Sequence, residues 1–409
     1  MKLRYWIKEK LPKSFLPPIR LIFNIYFHIP YWFYYAFLNG KAPAPDRLVY
    51  ETTFFCNQSC LMCGFAQDLD KKESKVKAKW KEKGELSTNE ISRLVDSAKK
   101  IGIKNFTISG GEPFVRKDIF EIICLVKRKN FTVTVRSNGT LMDKKKAQKI
   151  VEAKPDSIIF SLDGPGKIHN TIRKEKDAFN KLMRGISLIN EEKSKADSTV
   201  PNLSFNCTIS AVNAGYLTEI AEIAGKLKMD VTFTYVGYIT NEMLEETEKM
   251  FSGGTTEFEC LDIPEFLKKV DLDKLKEDVK RVKEKAKKYG IEAKFIPPLK
   301  ENEIRKYFYS DSFVFANKCL YPWYGLRVNP YGEVNPCSLN LPMGNIREED
   351  LRDIWNNKKY ISFRKNLKTH KLFPKCARCC TLNEKLWSFL PSLSSLNKKN
   401  EEHFDLIQK

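Results

Sequence analysis

Residues 48–63 read LVYETTFFCNQSCLMC, a short β-branched and aromatic run with three cysteines set directly behind it. The run 48–54 predicts a strand, and Cys56, Cys60 and Cys63 then share the loop at its C-terminal end. Three thiolates can converge there from a single loop, and in barrels of alternating strands and helices that end of the sheet is where active sites are built. Three cysteines cannot close a four-ligand structural zinc site, and the next histidine along the chain is the distant His169. A cubane iron-sulfur cluster has four irons, so three thiolates leave one iron open to bind a substrate or cofactor. Spacing therefore favours a catalytic cluster, with zinc completed by a distant ligand, or unrelated structural cysteines, as the alternatives.

Outward from this stretch, β-branched runs at 104–109, 131–136, 157–161, 203–209 and 231–236 alternate with segments at 88–101, 117–129, 143–152, 177–191 and 215–227 that carry apolar residues at helical spacing. Ser87 or Thr88 with Asn89-Glu90 reads as the N-cap region of the first helix. Alternation of this kind predicts an α/β chain with a parallel sheet, and six strands predict a partial (β/α)6 TIM-like barrel. The lysine-rich loop 67–84 reads as solvated surface. A second insert covers 238–262, with a turn at Gly253-Gly254, before a charged helix at 264–289 and a strand at 291–296. The pattern then changes, so the expected domains are an N-terminal extension, 1–45, a core barrel with inserts, 46–300, a small Cys-rich α+β domain, 301–385, and a charged tail, 386–409.

CxxxCxxC after the first strand, followed by Ser109-Gly110-Gly111-Glu112-Pro113 after the second, resembles the radical S-adenosylmethionine (SAM) superfamily over about residues 48–240. The resemblance implies a [4Fe-4S] cluster on Cys56, Cys60 and Cys63 with SAM at its exchangeable iron, and a reductant such as ferredoxin or flavodoxin. In that family the loop after the second strand receives the SAM amino group. Gly110 and Gly111 would permit close approach to the backbone, while Glu112 could accept a charge-assisted hydrogen bond from an ammonium. Ser137-Asn138-Gly139-Thr140 follows the third strand and Ser161-Leu162-Asp163-Gly164-Pro165 the fourth, with His169 and Arg173 beyond, an order similar to that of peptide-modifying members. By that similarity Asn138 joins the SAM site, Ser161 would bond the ribose or carboxylate, and Arg173 would pair with the carboxylate; a plain surface ion pair is the other reading of Arg173. Where many relatives have an aromatic residue before the third cysteine this chain has Met62, still bulky and apolar, with Phe65 after Cys63.

A second cysteine group comprises Cys319, Cys337, Cys376 and Cys379, with Cys380 adjacent. Four thiolates would close a site completely, as an auxiliary cluster or a structural zinc. Cys319-Leu-Tyr-Pro-Trp323, the run 329–337 and Cys376-Ala-Arg-Cys379 resemble the SPASM and twitch extensions of radical SAM enzymes. Residues 326–337 read as a hairpin around Pro-Tyr-Gly, and 350–366 as a helix returning the chain to the CxxC. Full SPASM domains carry seven cysteines and two clusters; five here imply one auxiliary [4Fe-4S] cluster, with Cys379 favoured over Cys380 as its ligand. Cys124 and Cys207 read as small core residues, and Cys260 has no readable role.

The first segment sets Lys2, Arg4, Lys8, Lys10, Lys13 and Arg20 before LIFNIYFHIPYWFYYAFL at 21–38. Pro17, Pro18 and Pro30, with Arg20, Asn24 and His28, argue against a membrane span. Two readings stand: a segment lying in a membrane interface, and an extension packed on the main domain or on a dimer partner. The net charge of +20 attracts anions, although lysine-rich surfaces also serve solubility, and the basic residues form no nucleic-acid module. Grouped cysteines without an export signal point to the cytoplasm, at its membrane face if the first segment is interfacial. The expected activity is reductive cleavage of SAM to a 5'-deoxyadenosyl radical that takes hydrogen from an unidentified substrate, a peptide or protein or a lipid or glycolipid precursor. The alternative is a non-catalytic iron-sulfur electron carrier or metal-binding protein, against which the GGEP loop speaks.

Overall fold

The structure, a computed structural model, describes residues 29–64, 66, 74–251 and 264–382. In β1 (Arg47–Glu51) Leu48 and Tyr50 are buried while Arg47 is exposed. The same two-residue period buries Phe106 and Ile108 in β2 (Asn105–Ser109), Val133 and Val135 in β3 (Thr132–Ser137), and Ile158 and Phe160 in β4 (Ser157–Ser161). It continues through β5 (Asn202–Ile209) and β6 (Asp230–Tyr235). Each strand thus turns one apolar face to the helices and one polar face inward. The helices that alternate with these strands include α1 (Thr88–Ile101), α2 (Ile119–Arg128), α3 (Lys144–Ala153), α4 (Gly166–Arg173), α5 (Ala178–Lys195), α6 (Leu217–Lys226) and α7 (Leu272–Tyr289). In α1 the Ser87 and Glu90 side chains form a capping box, and Gly102 closes the helix at a φ of 99°.

With β7 (Ala293–Ile296), β8 (Gly325–Val328), β9 (Glu333–Asn335) and β10 (Gly344–Asn345), the sheet order is β10-β9-β8-β1-β2-β3-β4-β5-β6-β7. Strands β1 to β7 are parallel. The chain after residue 300 does not start a sheet of its own: β8 joins β1 in parallel, Leu48 opposite Leu326, and then turns back antiparallel to β9, Arg327 opposite Asn335. The expected partial barrel is present, extended by a seventh parallel strand at one edge and by the C-terminal hairpin at the other. Two expected helices are broken. Asp271 caps α7 through its carboxylate, which leaves only a short turn at Glu265–Lys268 before it. Asn357 starts Lys358–His370 anew, separating it from Leu351–Trp355.

A helix over 29–37 packs on the C-terminal region, with Tyr35 edge-on to Trp323 at 5.0 Å and Lys368 Nζ donating to the Ala36 carbonyl at 2.8 Å. Arg364 is fully buried, its guanidinium 4.2 Å from the Trp355 ring and 4.3 Å from the Tyr360 ring. It donates to the Pro322 carbonyl at 2.8 Å and the Gly40 carbonyl at 3.3 Å, stapling the extension to the body. The opposite face of the 29–37 helix leaves Ile29, Phe33 and Phe37 exposed. Among the described residues no helix is long and apolar enough to cross a membrane. The basic run 1–28, Phe65, the Gly253-Gly254 turn, Cys260 and the 386–409 tail lie outside the described residues. Replacing Arg364 by Ala would orphan buried carbonyls and empty a slot between two rings, and should lower unfolding stability by about 2–4 kcal/mol; urea titration checks this, with the exposed Arg352→Ala as a near-neutral control.

Candidate functional site

The loop from Phe54 to Cys63 leaves β1 and is gripped from three sides. From the β2 loop, Gly111 N donates to the Thr53 carbonyl at 2.7 Å and Glu112 N to the Phe55 carbonyl at 3.0 Å. A Cβ on Gly110, whose φ is +133°, would lie 2.3 Å from the Thr53 carbonyl oxygen, and one on Gly111 2.2 Å from that of Phe55. These glycines are thus demanded by chain packed against chain, before any ligand is considered. From the β3 loop, Asn138 Nδ2 reaches Asn57 Oδ1 at 2.9 Å and Cys56 Sγ at 3.8 Å. From α4, Leu61 N donates to the Ile172 carbonyl at 2.9 Å, and Arg173 Nη1 to Cys60 Sγ at 3.5 Å.

Glu112 is fully buried. Its Oε1 accepts from Phe114 N at 3.1 Å and Ser137 Oγ at 2.9 Å, and its Oε2 from Asn138 N at 2.7 Å. Burial nonetheless pushes its carboxyl up to about 7, because those donors only partly replace lost water. The carboxylate expected to meet an ammonium is therefore also the tie between the β2 and β3 loops. Arg173 is no surface pair: its guanidinium meets the wholly buried Asp163, whose Oδ1 accepts from Thr208 N at 2.7 Å. Burial works against the charge of Arg173, but Asp163 and the Cys60 sulfur beside it hold its pKa above the usual range. His169 Nδ1 accepts from Asp163 N at 3.1 Å, and burial, reinforced by Arg173, lowers its pKa to about 3, so it stays neutral. Ser161 ends β4 half-buried on its inward face. Asp163 carries no expected role in the sequence, because its part becomes visible only when Arg173 folds back onto it.

Cys319, Cys337, Cys376 and Cys379 line one cavity of about 290 Å³, together with Cys380, Met62 from the first cysteine loop, and Thr208 and Thr234 from the inward faces of β5 and β6. The sheet is curled enough for its far strands to share a space with the C-terminal cysteines. Cys379 N donates to the Cys376 carbonyl at 3.0 Å, making the CxxC a tight turn. The Arg378 guanidinium donates to the Phe313 carbonyl at 2.5 Å and the Ser310 carbonyl at 2.7 Å, beside the Tyr238 and Tyr307 rings. Burial pushes the thiols of Cys56 and Cys337 up to about 12 and raises Cys319 and Cys376 as well, so metal loading must release protons. Cys379 and Cys380 are hydrogen-bonded to each other, which lowers Cys379 and raises Cys380. Cys207 is buried in the core and Cys124 half-buried against it.

Among the described residues no three His, Cys, Asp or Glu side chains stand close enough together to hold a single metal ion. The first cysteine loop does fit a thiolate-ligated cluster: N–H donors from Asn138 and Arg173 are aimed at two of its three sulfurs, the kind of contact that tunes iron-sulfur ligands, and Arg173 Nε remains buried without a hydrogen-bond partner among the described residues.

The family described as the radical SAM superfamily matches residues 50–203, and SPASM, an iron-sulfur cluster-binding domain, matches residues 319–380. The chain belongs to the radical SAM superfamily and carries a C-terminal SPASM domain, so it is an enzyme of the class that uses a [4Fe-4S] cluster and SAM. It is 28% identical over 352 residues to the AdoMet-dependent heme synthase of Methanosarcina barkeri (strain Fusaro / DSM 804), covering 82% of this chain and 88% of that relative. To the AdoMet-dependent heme synthase of Oleidesulfovibrio alaskensis (strain ATCC BAA-1058 / DSM 17464 / G20) it is 24% identical, over 84% and 82%. In fold it is similar to Streptococcus suis SuiB bound to S-adenosylmethionine, with a TM-score of 0.55 and 17% identity over 80% of this chain and 69% of that one. It is also similar to anSMEcpe with bound AdoMet, with a TM-score of 0.56 and 18% identity over 83% and 85%.

Glu112 gives a pH signature. Its folded pKa, about 7, lies above the ordinary 4.5, so the folded state holds the proton more tightly than the unfolded one. Its stabilising contribution is complete below about 4.5 and is lost as pH rises through about 7. Urea midpoints measured from about pH 5 to about pH 8 should fall less with pH in Glu112→Gln than in the wild type.

Proposed function

We propose that this chain cleaves SAM reductively and uses the resulting radical to take hydrogen from a substrate held inside the barrel. The observation that carries the reading is the three-sided grip on the Cys56–Cys63 loop, with donors aimed at the Cys56 and Cys60 sulfurs. When bound to Cys56, Cys60 and Cys63, the cluster supplies the electron and an open iron for SAM, and the difficult chemistry is the cofactor's. The protein's part is to position. Gly110 and Gly111 shape the loop, and Glu112 accepts from the SAM ammonium with its remaining lone pairs. Ser161 bonds the ribose or carboxylate, Asn138 orients the β3 loop, and Arg173, preset by Asp163, turns its remaining N–H groups to the carboxylate. Enclosure by the C-terminal region keeps water from the reacting centre. Cys319, Cys337, Cys376 and Cys379 hold one auxiliary cluster in the cavity they line.

After anaerobic reconstitution, dithionite and SAM should yield 5'-deoxyadenosine from the wild type and none from Cys60→Ala; no product from the wild type would favour an electron carrier instead. Iron counting should give about eight irons per chain, falling to about four in Cys337→Ala if the auxiliary cluster is lost.

For the substrate, a peptide or protein is favoured by the SPASM domain, since SuiB and anSMEcpe have been solved with peptides. A tetrapyrrole is favoured by the heme synthases, which align over most of their length. A lipid-linked precursor is favoured by the exposed stripe Ile29, Phe33 and Phe37, which continues a basic, aromatic N-terminal sequence. The full chain should float with anionic liposomes and the Phe33→Asp/Phe37→Asp variant should not; equal partitioning would remove the case for a lipid substrate.

A further inference from the structure

The inward face of the barrel is built mostly from short polar side chains that satisfy one another. Thr134 Oγ1 and Ser157 Oγ lie 3.0 Å apart, and Thr234 Oγ1 donates to Asn206 Oδ1 at 3.1 Å. Arg136 breaks this pattern. It lies on β3 between buried Val135 and Ser137, so strand alternation turns it inward, and it is the exposed residue of that strand. Burial by the surrounding protein lowers its pKa, yet the open lumen keeps its surface accessible.

The strongest electrostatic influences on Arg136 come from Cys380, Arg327, Tyr321 and Arg47. Arg327 is already paired with the buried Glu51, and Arg47 stands 3.9 Å from Asp46. Tyr321, its pKa pushed up to about 12 by burial, offers no negative charge. The Arg136 side chain makes no hydrogen bond or ion pair among the described residues. A guanidinium that opens on the lumen, with two further arginines acting on it and no carboxylate bonded to it among the described residues, leaves positive charge that an incoming anion would offset. Its place along the barrel fits a substrate role. Two residues further on, roughly 7 Å along the chain, Asn138 touches the Cys56 loop, while Cys380, next to Cys379, is near enough to act on Arg136 electrostatically.

We infer that Arg136 binds a carboxylate of the substrate, through the bidentate fork that guanidinium and carboxylate share, and so orients the substrate between the SAM site and the auxiliary cysteines. One uncompensated positive charge, with Arg327 matched by Glu51, suits a single carboxylate better than a phosphate dianion. Arg136 is in this account a substrate-binding and specificity-determining residue. The inference rests on the radical SAM reading for the claim that the lumen is where substrate lies.

The test is isothermal titration of the reconstituted full chain, with SAM present, using glutarate as the carboxylate probe and inorganic phosphate as the alternative. Glutarate should bind saturably to the wild type, about tenfold or more weakly to Arg136→Gln, and with part of the loss recovered in Arg136→Lys, which keeps the charge but not the fork. Equal glutarate binding by wild type and Arg136→Gln, or no saturable binding by the wild type, overturns the inference. Arg136-dependent binding of phosphate in preference to glutarate overturns the carboxylate assignment. Wild-type 5'-deoxyadenosine formation is measured separately: its absence alongside Arg136-dependent glutarate binding would sink the reaction and not the anion site, and its presence with Arg136-independent binding would sink only the anion site.

Discussion

The peptide backbone at Gly110 and Gly111 runs against the carbonyls of Thr53 and Phe55 with no room for a single carbon atom between them. That approach brings the loop after β2 onto the cysteine loop after β1. Once it is made, the Glu112 carboxylate is in place to gather Ser137 and Asn138 from the next loop along, and Asn138 reaches back to Asn57 and Cys56. Each loop thus fixes its neighbour. The α4 helix closes the set by fastening Leu61 to Ile172 and Cys60 to Arg173. Three cysteines with open coordination space gain a fixed geometry from main-chain contacts that a side chain larger than hydrogen would break.

This arrangement makes several side chains serve both the fold and the chemistry. Glu112 ties two loops and, in the proposed function, also accepts from the SAM ammonium. Arg173 balances the buried Asp163 while standing against Cys60, and Asp163 in turn is held by Thr208 of β5. A buried ion pair of this kind contributes little net stability but is costly to break on one side, which suits a group that must keep its charge and direction in a dry site. Beside β1 the C-terminal hairpin adds to the same sheet through β8, so the region that bears the auxiliary cysteines is registered against the strand of the first cysteine loop by backbone hydrogen bonds and not by a flexible linker.

The six strands and most of the helices were legible in the sequence because period-two and period-three-to-four burial is a local signal; the Ser87–Glu90 cap is a local signal too. The breaks at Asp271 and Asn357 are masked in the sequence because apolar spacing continues across them, although both residues are good N-caps. The eight-residue α4 was too short to announce itself behind Gly164 and Pro165. At the site, the three cysteines, the glycines, Glu112 and Arg173 could be singled out from type and order alone. What could not be read was their mutual service: that the glycines meet carbonyls, that Glu112 already has three protein donors, and that Arg173 has Asp163 as its partner. Arg136 left no mark in the sequence, since a lone arginine in a strand gains meaning only when its strand is seen to face the lumen.

The proposed chemistry requires that Cys56, Cys60 and Cys63 hold a cluster whose open iron takes SAM. Electron paramagnetic resonance of the dithionite-reduced, reconstituted chain, recorded before and after adding SAM, tests that claim most directly. A change of ligand at one iron should shift the g values of one cluster signal while the auxiliary signal stays where it was. A spectrum that SAM leaves unchanged would contradict the account.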